Sequence, residues 1–250
     1  MKSEDYILND IVEGEVGYIY LPQMAPIGES LEDDMKNIAG YIDTLKEHKA
    51  IVIDIRGNTG GNDNYWASVI SKIIPNTYES GGYVLFRDSE VINNYIEKRK
   101  IYTKSIAELP VEVLDNAPKE VSSDFTSYYK LSYDVAPCNS IKFTGEIYLL
   151  TDRQVYSSAE SFAIFCRENN LATIIGETTG GDGGGIDPVF FKLDNSGLII
   201  RMAEDMFLTP EGICDDENKV KPDYIIEQHE RTEDFNDDKC IQKVLELEKE

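Results

Sequence analysis

The sequence predicts an α/β fold, and three observations carry that expectation. Strand-like runs alternate with segments of helical period. The run Ile51-Val52-Ile53-Asp54-Ile55 is continuously apolar apart from Asp54, as expected of a central strand covered on both faces. The loops that follow two such runs are rich in glycine and serine. At 250 residues, 41% hydrophobic and 10% aromatic, the chain suffices for one large or two small domains with a proper core.

Taken in order, Gly17-Tyr18-Ile19-Tyr20-Leu21-Pro22 reads as a strand, and Ser30-Leu31-Glu32-Asp33 as the capped start of a helix. The apolar positions Leu31, Met35, Ile38, Ile42 and Leu45 recur at three and four residues, so this helix lies on a sheet and ends near His48. After the central strand, residues 63–74 read as a crossover helix, giving a βαβ-like front half. The stretch 76–143 is less regular: a strand at Tyr83–Phe86, a helix over Val91–Ile101 and a tyrosine-rich run around Tyr128 and Tyr129. It is expected to form a cover or excursion beside the sheet. Alternation returns with a strand at Gly145–Leu150, a helix over 157–169, a strand at Ala172–Ile175 and a glycine-rich loop from Gly176 to Gly185. A hairpin then pairs Val189–Leu193 with Leu198–Met202 across Asp194-Asn195-Ser196-Gly197, and the tail from Asp237 reads as an amphipathic terminal helix.

A formal charge of −23, from 47 acidic and 24 basic side chains, repels phosphate backbones and anionic headgroups, which argues against a nucleic-acid partner. No stretch has the length of an apolar membrane span, and the start Met1-Lys2-Ser3-Glu4-Asp5 lacks the apolar core of a secretory signal. Cys138, Cys166, Cys214 and Cys240 show no C-x-x-C spacing, and His48 and His229 are the only histidines. Free thiols are expected, with neither a zinc cluster nor a cofactor.

Two loops carry chemistry-bearing residues. Ser157-Ser158-Ala159-Glu160 opens a helix directly after a strand, where open α/β folds place their sites and where free amides and the helix dipole favour a developing oxyanion. The same S-x-x-E spacing is also a capping box, in which Ser157 accepts the Glu160 amide and the glutamate reaches back. The spacing alone does not separate the two. Arg56-Gly57-Asn58-Thr59-Gly60-Gly61 follows the central strand; consecutive glycines there leave backbone amides bare, which suits oxyanion binding, and also serve as a plain structural turn. Asn62-Asp63 supplies neither the lysine nor the hydroxyl of a phosphate loop.

Asp54-Ile55-Arg56-Gly57-Asn58-Thr59-Gly60-Gly61, then Ser157-Ser158-Ala159-Glu160, then Ile175-Gly176-Glu177-Thr178-Thr179-Gly180-Gly181, then Val220-Lys221-Pro222-Asp223, resemble the ordered signatures of the S41 peptidases, over residues 15–248. That family includes the C-terminal processing proteases, the tricorn core and the retinoid-binding photoreceptor repeats. The resemblance implies a crotonase-like ββα core of the S41 type spanning 1–250 as a single domain, with 76–143 as a cover within it. It implies a serine hydrolase in which Ser157 is the nucleophile. The Ser158 amide and an amide of the Gly60-Gly61 turn would form the oxyanion hole, and Ser158 is the second candidate nucleophile.

The chain also departs from the family pattern. Aligning the glycine-rich loop places Asp182 where the processing proteases keep their general-base lysine. The tricorn branch uses a histidine beyond the first strand, and Pro22 to Glu29 contains none; Glu217 aligns with that branch's orienting glutamate. The core begins almost at Met1, with no PDZ-like segment before it, as expected of a core excised from a longer protein; a complete chain would be cytoplasmic, an excised one exported or at the cell surface. Two functions follow. One is a serine-type peptidase acting on peptide or protein substrates through a Ser157 acyl-enzyme. The other is a catalytically silent S41-like protein that binds a peptide or apolar ligand in the same cleft.

Overall fold

A computed structural model describes residues 5–138, 143–186, 188–227 and 231–249. Strands β1 (Ile7–Val12) and β2 (Val16–Tyr20) lead through helix α1 (Leu31–Ile42) to β3 (Ala50–Asp54) and α2 (Asp63–Ile70). Next come β4 (Tyr78–Phe86), α3 (Glu90–Arg99), the short β5 (Lys104–Ser105), α4 (Val111–Asn116), α5 (Val121–Asp124) and β6 (Ser127–Val135). The chain continues through β7 (Glu146–Thr151), α6 (Ser158–Glu168) and β8 (Thr173–Gly176), then β9 (Val189–Lys192), β10 (Ile199–Met202) and β11 (Asp205–Leu208). It closes with α7 (Asp215–Asn218), β12 (Tyr224–Ile225) and α8 (Lys239–Leu247). Among the described residues no helix is long and apolar enough to cross a membrane.

These elements form two compact units. The first draws on Met1–Glu79, Asp134–Gly183 and Lys219–Glu250, the second on Ser80–Tyr133 and Gly184–Asn218.

The first unit is built on a six-stranded sheet in the order β1-β2-β3-β7-β8-β12, parallel except for the β1–β2 hairpin. Period-two alternation divides its side chains between two faces. Tyr18, Tyr20, Val52, Tyr148, Leu150 and Ile175 pack with Cys240, Ile241 and Val244 of α8. Ile19, Ile51, Ile53 and Leu149 are fully buried on the other face, and β2 and β3 are accordingly apolar almost without interruption, as a doubly covered parallel strand must be. Helix α6 is buried on every side from Ser158 to Cys166. It stacks Phe162 on Trp66 of α2, with ring centroids 5.4 Å apart, and sets Phe165 at 5.0 Å from the same indole. Truncating one such aromatic typically costs about 3–5 kcal/mol, so α6 is firmly seated.

The second unit holds a four-stranded sheet ordered β11-β4-β6-β5 and a separate two-stranded ribbon of β9 and β10. Tyr83, Leu85, Ile106, Val113, Phe125 and Leu208 are among its core residues. The ribbon pairs Val189–Lys192 with Ile199–Met202 in the register expected from the Asp194–Gly197 turn. The tyrosine-rich run is a strand, β6.

Helix α1 departs from its expected pattern. Asp34 is buried rather than Met35, because its carboxylate accepts the Ile27 and Gly28 amides at 2.8 and 2.9 Å and the Tyr65 hydroxyl at 3.1 Å. Cys166, Cys214 and Cys240 are buried free thiols, and Cys138 is exposed.

Candidate active site

Three loops leave the carboxyl ends of adjacent parallel strands β3, β7 and β8 and are bonded to one another. The Tyr156 amide donates to the Asn58 carbonyl at 3.2 Å, the Ser157 amide to the Gly181 carbonyl at 3.1 Å, and the Gly180 amide to the Val155 carbonyl at 2.6 Å. The Gly57 amide reaches the Asp152 carboxylate at 3.0 Å. Burial pushes the Asp152 carboxyl above its ordinary range, partly offset by the amides it accepts from Gly57 and Gln154. The carboxyl edge of such a sheet is where open α/β folds hold ligands.

Ser157 sits at the junction of these loops with φ +57° and ψ −125°, a sparsely populated conformation for a residue bearing a Cβ, costing on the order of 1–3 kcal/mol. It flanks the amino terminus of α6 without capping it through its side chain. The capping-box reading of S-x-x-E is therefore wrong. Glu160 instead turns into the protein, where its Oε1 accepts the Thr179 hydroxyl at 2.5 Å and the Val220 amide at 3.1 Å. The Ser157 side chain is half-buried, and among the described residues nothing hydrogen-bonds its hydroxyl. Ser158, by contrast, is buried, and its Oγ has no hydrogen-bond partner among the described residues. The Ser158 amide opens α6 and so has no acceptor within the helix.

The glycine turn is more differentiated than its sequence implies. Both amides were expected bare, but the Gly60 amide donates to Asn58 Oδ1 at 2.9 Å, because a buried asparagine two residues back closes an Asx turn on it. Asn58 also donates its Nδ2 to the Leu21 carbonyl at 2.9 Å. Gly61 bridges Met24 in parallel: the Met24 amide goes to the Gly60 carbonyl and the Asn62 amide to the Met24 carbonyl. That pattern turns the Gly61 N–H to the edge away from Met24, and it has no acceptor among the described residues. Gly60 contributes closeness instead, with its Cα against Ser157, Tyr156 and the Ser158 amide.

Arg56, in the same motif, lies entirely inside. It donates to Asp54 at 2.9 and 2.6 Å and to Asp238, the cap of α8, at 3.1 and 2.8 Å. Burial opposes its charge, yet the two carboxylates hold its guanidinium protonated above the ordinary range. Its role is to tie the loop after β3 to the last helix. Sequence reading missed this, and the signal was an aspartate immediately before a helix-period run that begins at Lys239.

The remaining expected residues are placed as follows. Asp182 directly follows Gly181, half-buried, with φ +64°. His48 precedes β3, at the opposite end of the sheet from Ser157. Its Nε2 lies 3.1 Å from Asp10 Oδ2. Burial raises the Asp10 carboxyl, while the Gly14 amide, His48 and the Tyr41 hydroxyl lower it, leaving it below its ordinary value. Glu217 is exposed on α7 of the second unit, and His229 lies outside the described residues.

The family model for peptidase family S41 matches residues 15–226. Among solved structures, the chain superposes on a Parabacteroides merdae protein assigned as a peptidase with a TM-score of 0.67 at 19% identity, covering 97% of this chain and 66% of that one. Mature CPAF complexed with lactacystin gives 0.60 at 16%, covering 84% and 47%. The photosystem II D1 C-terminal processing protease gives 0.54 at 17%, covering 96% and 52%. The chain thus spans between about half and two thirds of the length of these structures. No curated protein sequence matches it. The α/β sheet with its serine turn and glycine loop is the S41 core, and the chain belongs to peptidase family S41.

Proposed function

We propose that the protein is a serine-type peptidase acting on peptide or protein substrates through an acyl-enzyme on Ser157. The observation that carries this reading is the state of Ser157: strained, partly accessible, not used as a helix cap, and next to two uncommitted amides. In the reaction, Ser157 Oγ attacks the scissile carbonyl carbon and its proton passes to a base. The amides of Ser158 and Gly61 receive the oxyanion, and the C–N bond breaks as the amine takes a proton. Water then hydrolyses the ester, releasing the acid and restoring the serine. Gly60 supports the reaction by letting the turn approach, and nucleic acid is no part of it, given the charge of −23.

Asp182 in the place of the family's lysine favours the second reading, a silent binding protein using the same cleft. A fluorophosphonate probe separates the two. The peptidase reading expects labelling that Ser157→Ala abolishes and Ser158→Ala largely keeps. Absence of labelling in a folded protein that still binds peptides supports the silent protein instead, and labelling that survives Ser157→Ala overturns the assignment of the nucleophile.

A further inference from the structure

Glu160 is wholly buried on the first turn of α6, three residues beyond Ser157. A carboxylate in such a place is costly unless hydrogen-bonded, and its Oε1 is engaged by Thr179 and Val220. Those two residues are themselves joined. The Thr179 amide donates to the Val220 carbonyl at 3.1 Å, and the Val220 amide is shared with Thr179 Oγ1 at 2.9 Å. One side chain therefore fastens two distant segments, the glycine-rich loop and the chain just before β12, to the base of α6.

The loop position this sets is the one Ser157 depends on. Two residues beyond Thr179 is Gly181, whose carbonyl accepts the Ser157 amide, and between them the Gly180 amide donates to the Val155 carbonyl. Together with the Ser161 amide bonded to the Ser157 carbonyl at 2.9 Å, these bonds hold a backbone conformation that the serine does not adopt unaided.

We propose that Glu160 is the positioning residue of the serine turn: by anchoring Thr179 and Val220 it holds the glycine-rich loop where Gly181 keeps Ser157 in its strained, presented conformation. The consequence for catalysis rests on the reading of Ser157 as nucleophile; the structural part does not. Glu160 moves no proton in this role. Its anchoring needs only an acceptor oxygen, which glutamine also supplies, so the geometry and the shape of the pH profile survive Glu160→Gln while Glu160→Ala loses the anchor.

The test joins amide hydrogen exchange over residues 155–161 with the rate of fluorophosphonate labelling, both far below the melting temperature. Glu160→Ala is expected to speed exchange of the Ser157 amide by about tenfold or more and to slow labelling by about a hundredfold, the scale of a reacting group displaced by roughly an ångström. Glu160→Gln restores most of both, with the pH profile of labelling unchanged in shape. Should Glu160→Ala fail to fold, Thr179→Val, which removes one of the two donors, decides in the same direction with a smaller effect. Wild-type exchange at Ser157 in either folded variant overturns the proposal, as does a displaced pH profile in Glu160→Gln. If labelling survives Ser157→Ala, the proposed function falls, and the exchange result still decides the role of Glu160.

Discussion

Gly60 lies so close to Ser157 that a Cβ built on the glycine would stand 2.7 Å from the serine Cβ and 2.8 Å from the Tyr156 carbonyl oxygen. No side chain fits there without moving backbone. Gly60 also has φ +104°, which disfavours any other residue. Gly60→Ala is therefore expected to slow labelling of Ser157 by about a hundredfold in a protein that still folds. Gly61→Val acts differently, since a Cβ there would meet the Met24 carbonyl oxygen at 2.1 Å, parting the two loops and displacing the uncommitted amide. Loss of one oxyanion donor costs about a hundredfold or more. Normal labelling and turnover in both folded variants would show that this turn plays no part in the site.

The Asp54–Arg56–Asp238 cluster yields a stability prediction with a pH signature. All three side chains are almost fully buried, and breaking such a cluster strands a charge, typically costing about 3–5 kcal/mol. Asp238→Asn is expected to destabilise by that order at pH 7 in urea unfolding. Burial alone raises the Asp238 carboxyl, but its bonds to Arg56 hold it below its ordinary value. A depressed carboxylate contributes stability that is complete above its unfolded pKa, about 3.9, and is lost as pH falls through the folded one. The gap between wild type and variant should thus stay constant from pH 7 to about pH 5 and narrow below about pH 4. A gap unchanged down to the lowest pH at which both proteins fold would assign the loss to packing rather than to charge.

Strand β3 and helix α6 were legible because their patterns answer to a single local demand, burial on both faces of a sheet or a helix start after a strand. The β9–β10 hairpin was legible from its turn residues. Elements whose residues serve distant partners were not. Strand β1 escaped notice because Asn9 and Asp10 interrupt its apolar run, and Asp10 is there to accept the Tyr41 hydroxyl at 2.8 Å and face His48. Asp34 defeated the helical pattern of α1 for the same reason. In the site, the nucleophile candidate and the glycine turn followed from spacing, but the destination of Glu160 did not. Its partner Val220 lies sixty residues away, and S-x-x-E reads equally as a local cap. Nor does spacing reveal that Asn58 consumes the Gly60 amide.

His48 serves as a control for the base. It stands before β3, whereas Ser157 follows β7 in the parallel register that aligns the two strands, so the sheet separates them. His48→Ala is expected to leave probe labelling at the wild-type rate and to cost about 0.5–1.5 kcal/mol through the lost Asp10 contact. His229→Ala is likewise expected to keep labelling. Loss of labelling in either variant would restore a serine–histidine mechanism.

Asp182 is the sharpest test of how far the family's chemistry persists here. Its neighbour Gly181 carries the carbonyl that fixes Ser157, so residue 182 stands one peptide from the serine turn. Its left-handed backbone, φ +64°, suits an aspartate better than most residues because a short polar side chain tolerates that region. A lysine installed there carries a modest conformational cost and reaches further. Partial desolvation lowers its pKa from about 10.4, leaving a fraction of free amine to accept the Ser157 proton. Asp182→Lys is expected to raise the labelling rate at alkaline pH along a single titration curve with its midpoint below about 10.4, while Asp182→Ala labels as the wild type does. An unchanged rate in a folded Asp182→Lys protein would mean that the loop does not carry residue 182 to the serine. Labelling that vanishes in Asp182→Ala would instead make the aspartate itself the base.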